Sequence, residues 1–108
     1  MSDEVVEIEL LVVPDCANQA AAAELIATAL ADSGVVATVA VTTVASQDDA
    51  ERRGFTGSPT ILVNGADPFA RASAPAALAC RLYRTPDGLR GVPGLHDLRA
   101  ALERAAAV

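Results

Sequence analysis

The chain has 108 residues, of which 52% are apolar and none is Trp, and it carries a formal net charge of -6. Length and apolar share predict one folded domain over residues 1–108, with a core of Val, Leu, Ile and Ala, and they exclude intrinsic disorder. An acidic chain without a basic run argues against nucleic acid or an anionic membrane surface as a partner, and one His without a Cys/His set at zinc spacing argues against a structural zinc site.

In chain order, residues 5 to 13 read as the first strand, β-branched and apolar, ended by Pro14. Glu7 and Glu9 alternate there with Val6, Ile8 and Leu10, so one face is solvated early and both are buried from Leu11 to Val13. A helix follows from about residue 18 to 33, with Ala22, Leu25, Ile26, Ala29 and Leu30 on its buried face and Gly34 as its stop. Residues 35 to 44 are apolar on both faces, which predicts an interior strand in a parallel βαβ unit. Ser46 is placed to cap a short helix that Gly54 ends. Residues 61 to 65 read as a buried strand entering an Asn-Gly hairpin turn. The Ala- and Pro-rich stretch 66 to 79 reads as loop, and residues 81 to 84 as a strand antiparallel to the previous one. Thr85-Pro86-Asp87-Gly88 is a turn by composition, and Leu95, Leu98, Leu102 and Ala105 mark a final amphipathic helix. The predicted order is β-α-β-α-β-β-α, a mixed sheet flanked by helices.

Charge is uneven along the chain. Asp3, Glu4, Glu7, Glu9 and Asp15 crowd the N-terminal region, while Arg71, Arg81, Arg84 and Arg90 fall in the last third and read as solvated surface in preference to an anion site, the alternative. No segment has the basic and apolar regions of a signal peptide, and no apolar run reaches membrane-spanning length. The expectation is a cytoplasmic protein, in which two cysteines are free, catalytic or redox-sensing rather than a structural disulfide.

Cys16 is the chemical focus. It follows Pro14 and Asp15 at a helix start, where unsatisfied N–H groups and the helix dipole favour the thiolate, the reactive form of the residue; the Asp15 carboxylate opposes that. Its bland alternative is a small residue filling a turn. Cys80 has three readings: a buried small hydrophobe, a resolving thiol for Cys16, or a second soft-metal ligand with Cys16. In the simplest hairpin geometry Cys80 starts its strand at the end away from Cys16, which favours the first. His96 begins the last helix and reads as a solvated or capping residue.

Two stretches resemble the thioredoxin superfamily. Pro14-Asp15-Cys16-Ala17-Asn18-Gln19, between strand and helix, looks like its active-site turn, and residues 54 to 65, Gly-Phe-Thr-Gly-Ser-Pro-Thr-Ile-Leu-Val-Asn-Gly, look like its cis-proline segment. The runs Asp67-Pro68-Phe69, Cys80-Arg81-Leu82-Tyr83 and Asp87-Gly88-Leu89 further resemble short actinobacterial thioredoxin-like proteins, some labelled alkylmercury lyase. The resemblance implies a thioredoxin-like α/β fold and a cis bond between Ser58 and Pro59, in a segment whose backbone pairs with an extended bound chain beside the thiol. It also implies thiol–disulfide chemistry at Cys16, with Pro14, Asp15, Gln19, Ser58, Pro59 and Thr60 bordering the partner. The family's Cys-x-x-Cys is reduced here to one Cys, since Gln19 stands in the second position, and Asp15 stands where the family has Trp. The expected activity is therefore mixed-disulfide chemistry at a single cysteine with a low-molecular-weight thiol or a protein thiol or disulfide, and no cofactor is implied. A thioredoxin-shaped binding module that holds a peptide along Ser58-Pro59, and a thiophilic metal or organomercurial protein using Cys16 and Cys80, are the alternatives.

Overall fold

The computed structural model describes residues 5–71 and 73–107, so Asp3 and Glu4 of the acidic N-terminal group lie outside the described residues. The elements in chain order are β1 (Val6–Val12), α1 (Gln19–Ser33), β2 (Ala37–Thr43), α2 (Gln47–Arg53), β3 (Thr60–Val63), β4 (Tyr83–Thr85), β5 (Gly88–Arg90) and α3 (Leu95–Ala106). The result is a mixed α/β structure with a three-stranded sheet in the order β2-β1-β3. β1 pairs parallel with β2, from Val6 opposite Ala37 to Val12 opposite Thr43, and antiparallel with β3, from Ile8 opposite Val63 to Leu11 opposite Thr60.

β1 is central because its sequence leaves it no other place. Val6, Ile8, Leu10 and Val12 share one face and pack with Ala22, Ile26 and Ala29 of α1 and Leu98 and Leu102 of α3. On the opposite face Leu11 meets Val44, Ala50 of α2 and Phe55. Glu7 and Glu9 occupy the open part of that face, as the alternation predicts; the Thr42 hydroxyl donates to Glu9 at 2.7 Å. Each fully buried branched side chain in this set contributes about 1.5–3 kcal/mol. The helix boundaries follow the expected caps. The Ser46 hydroxyl accepts from Asp49 N–H at 3.1 Å, and Gly54 and Gly34 both end their helices in the left-handed conformation.

Three expectations are corrected. First, β2 is an edge strand and not an interior one, with Val36, Val39 and Val41 exposed. Its β-branched residues favour extended backbone whether or not both faces are covered, and the seven-residue α2 reaches only the Leu11–Val44 end. Second, residues 81 to 84 do not pair with β3. The Asn64-Gly65 turn does form, with φ of 52° and 82°, and Val63 bridges Ala66. Pro68 then has no N–H to extend a ladder, and the Asp67 carboxylate accepts from Phe69 N–H at 2.8 Å, turning the chain away. Third, the segment from Tyr83 pairs forward with an unexpected strand, so β4 and β5 form their own hairpin around Pro86-Asp87.

The excursion after Pro68 runs back along β3 towards its start. Gln47 donates to the Ala76 carbonyl at 3.0 Å and Ala77 N–H to the Phe55 carbonyl at 3.0 Å. Residues 79–81 then lie parallel to Ser58, with Ser58 N–H on the Ala79 carbonyl at 2.8 Å and Arg81 N–H on the Ser58 carbonyl at 3.0 Å. Gly57 makes this approach possible: a Cβ there would stand 2.8 Å from Arg81 Cβ and 3.4 Å from the Ala79 carbonyl oxygen. Among the described residues no helix is long and apolar enough to cross a membrane.

Gly57→Ala and Gly65→Ala separate contact from conformation. Both positions have positive φ, but nothing lies within 4 Å of a Cβ at Gly65. In urea denaturation Gly65→Ala is expected to cost about 1–2 kcal/mol, the conformational contribution alone, and Gly57→Ala distinctly more. Equal losses would remove the role assigned to the close approach.

Candidate functional site

β1 delivers the thiol. Leu11 and Val12 are buried and Val13 half-buried, after which the chain turns into the open through Pro14 and Asp15. Asp15 takes a left-handed φ of 57°, which its short polar side chain tolerates. Cys16 follows, half-buried, its carbonyl accepting from Gln19 N–H at 3.2 Å where α1 begins. Asn18 holds the N-cap position but makes no side-chain capping bond. Its amide instead presses on Gly91, where a Cβ would stand 2.3 Å from Nδ2, so the loop after β5 rests on the start of α1.

Facing the thiol is the segment 57–60, in which the Ser58–Pro59 peptide is cis. Ser58 is buried, and its hydroxyl accepts from Val13 N–H at 3.0 Å and donates to Cys16 Sγ at 2.9 Å. One hydroxyl thus ties the end of β1, the cis peptide and the sulfur together. Thr60 lies elsewhere in the network: it donates to the Gly57 carbonyl at 2.6 Å and accepts from Arg81 Nη1 at 3.1 Å. Pro14, Asp15 and Gln19 are exposed around Cys16, and Pro59 is buried.

Cys80 is exposed, which corrects its reading as a buried hydrophobe, and both cysteines are free. Its expected position at the far end of a hairpin is also corrected. Cys80 is the bridge partner of Ser58, because the 66–79 loop returns the chain to the thiol end of the sheet. The Ser58 backbone N–H and carbonyl, expected to meet a bound chain, are both taken by residues 79–81.

Arg81 shows what the linear reading missed. It is 2% exposed, not solvated. Its guanidinium donates to Asp67 Oδ2 at 2.7 Å, Thr60 Oγ1 at 3.1 Å and the Phe69 carbonyl at 2.6 Å, and it lies 4.5 Å over the Tyr83 ring. Tyr83 packs edge-on against Phe69 with ring centroids 5.6 Å apart, and its hydroxyl donates to the Pro59 carbonyl. Burial pushes the Tyr83 phenol well above its ordinary value, with the Arg81 guanidinium pulling the other way. Burial alternates over residues 80–84, with Arg81 and Tyr83 inward and Cys80, Leu82 and Arg84 outward, so that a charged side chain and not Leu82 is the one enclosed. The one sequence signal for this was Asp67, fourteen residues before Arg81 and the single acidic residue between Glu51 and Asp87.

A cleft of about 540 Å³ opens on the far side of this network, lined among others by Phe69, Arg71, Tyr83, Arg84 and Leu89, and its lining does not include Cys16. Among the described residues no three His, Cys, Asp or Glu side chains cluster to hold a metal ion. No family model, curated protein or solved structure matches the chain.

Arg81→Ala is expected to cost about 3–5 kcal/mol in denaturant titration, because it strands the Asp67 carboxylate. Arg81→Lys is expected to recover little of this, since the single ammonium nitrogen cannot span acceptors that Arg81 reaches from both Nη1 and Nη2. Tyr83, the single tyrosine, gives a pH prediction. The native state holds the phenol proton after the unfolded chain has released it, so stability is full below pH 10.0 and falls as pH rises beyond it. Phenolate absorbance is expected to rise only together with unfolding. A phenolate signal from folded protein near pH 10 would contradict the buried hydroxyl.

Proposed function

We propose that the chain is a thioredoxin-like thiol protein in which Cys16 is the nucleophile that forms a mixed disulfide with its substrate. The observation that carries this reading is the Ser58 hydroxyl. It is held by Val13 N–H at 3.0 Å and donates to Cys16 Sγ at 2.9 Å from beside the cis Ser58–Pro59 peptide. A buried hydroxyl aimed at a half-buried sulfur next to a helix N-terminus holds that sulfur in a fixed position with a hydrogen-bond donor beside it, as a nucleophile requires. The parallel β1–β2 pair, the antiparallel β3 and helices on both faces of the sheet agree with thioredoxin-like architecture; the separate β4–β5 hairpin departs from it.

In the first step Cys16 Sγ attacks one sulfur of a disulfide. A bond forms to Cys16, the disulfide bond breaks, and the departing thiolate takes a proton from solvent. The partner class is a low-molecular-weight disulfide. A peptide laid along Ser58-Pro59 would have to displace residues 79–81 from the Ser58 backbone groups, whereas a small disulfide reaches the sulfur past the exposed Pro14, Asp15 and Gln19 without that cost.

The test is the alkylation rate of Cys16 by iodoacetamide at neutral pH in a Cys80→Ser background, with and without Ser58→Ala. Removing a hydrogen bond to a charged group costs about 1.5–3 kcal/mol, so Ser58→Ala is expected to slow the reaction at least about tenfold. A rate no faster than that of the unfolded chain, unchanged by Ser58→Ala, would leave Cys16 without a nucleophilic role.

A further inference from the structure

Resting on that reading of Cys16, we propose that Cys80 is its resolving thiol, so that Cys16 and Cys80 close an intramolecular disulfide across Ser58 and expel the captured group. The bridge between Ser58 and Cys80 sets the two residues opposite one another on adjacent extended segments, about 4.8 Å apart at the backbone. Directly paired residues project to the same face. The Ser58 side chain on that face is in contact with Cys16 Sγ at 2.9 Å. Cys80 therefore stands one strand spacing from a side chain that touches the nucleophile, while Arg81 beside it points the opposite way into its buried network.

The segment that carries Cys80 is held in place, not draped there. Ala79 and Arg81 take both backbone groups of Ser58, Gly57 gives them room, and Arg81 is locked by Asp67, Thr60 and the Phe69 carbonyl. The lock leaves Arg81 Nε buried without a hydrogen-bond partner among the described residues, an unrecovered desolvation cost. Nevertheless Cys80 itself is exposed, so the structure does not use it for packing. What the arrangement does accomplish is to present a free thiol at the edge of the Cys16 site. A second cysteine within the helix, at the Gln19 position, is then not needed.

The chemistry balances. After Cys16 has taken up half of a symmetric disulfide RSSR as Cys16–S–S–R, Cys80 loses its proton to solvent and its thiolate attacks Cys16 Sγ. The Cys16–Cys80 bond forms, the Cys16–SR bond breaks, and the second RS⁻ leaves and is protonated. Two protein thiols are oxidised by two electrons, and RSSR is reduced to two RSH.

The experiment treats reduced protein with glutathione disulfide at low protein concentration, then reads intact mass and non-reducing peptide maps. Wild type is expected to lose both free thiols, retain no glutathione and yield a peptide joining Cys16 to Cys80. Cys80→Ser is expected to keep one glutathione on Cys16, and Arg81→Lys, which loosens the 79–81 segment, to shift wild-type behaviour towards retained adduct. A wild-type protein that holds the adduct on Cys16 as Cys80→Ser does would overturn the resolving role while leaving Cys16 a nucleophile. A Cys16 that takes up no glutathione in Cys80→Ser would overturn both. A disulfide between two copies of the chain, increasing with protein concentration, would overturn the intramolecular pairing.

Discussion

The buried guanidinium of Arg81 fixes the path of the loop between β3 and β4. Residues 66–79 are mostly Ala, Pro and Ser, which offer little apolar area to anchor a loop. Arg81 supplies the anchor by polar means, joining Asp67, the Phe69 carbonyl and Thr60 and stacking on Tyr83, whose hydroxyl reaches the Pro59 carbonyl. A buried ion pair adds little net stability once desolvation is counted. Its effect here is selective: of the many routes open to an Ala-rich loop, one satisfies a guanidinium that is cut off from water, and that route returns the backbone to Ser58.

From this return follows the composition of the thiol site. Three segments meet at the end of β1 for three different reasons. Cys16 arrives because burial of Leu11 and Val12 ends at Pro14 and the chain must turn outward. Ser58 arrives because β3 pairs with β1 in a register that sets Thr60 opposite Leu11, which leaves the preceding residues beside Val13. Cys80 arrives because Arg81 is held next to Thr60. The Ser58 hydroxyl is the shared element, with its oxygen committed to a backbone N–H and its proton directed at sulfur. The opposite edge of the sheet, β2, carries exposed valines and takes no part in the site.

Strand and helix positions were legible in the sequence because they depend on local causes. The alternation of Val6, Ile8 and Leu10 with Glu7 and Glu9, the Ser46 cap, the Gly34 and Gly54 stops and the Asn64-Gly65 turn act within a few residues, and each appears where it was read. Cys16 at a helix start belongs to the same class, and the cis Ser58–Pro59 peptide agrees with the likeness of residues 54–65 to a cis-proline segment. The burial of Arg81 was not legible, since a charged residue next to exposed positions looks solvated until its partner is known, and Asp67 and Thr60 are fourteen and twenty-one residues away. For the same reason β2 read as interior: composition records what a strand tolerates, not whether a neighbour exists to cover it.

The sequence by itself therefore determined the three helices, the strands β1 to β3 and which cysteine opens a helix, though not β5, because hydrophobic period, caps and turn residues act over short range. Only the tertiary structure decided the strand order, the face on which Arg81 and Tyr83 lie, and the place of Cys80 beside Ser58. Those depend on long-range pairing, in which one buried guanidinium must find its acceptors, and no local pattern encodes where they will be.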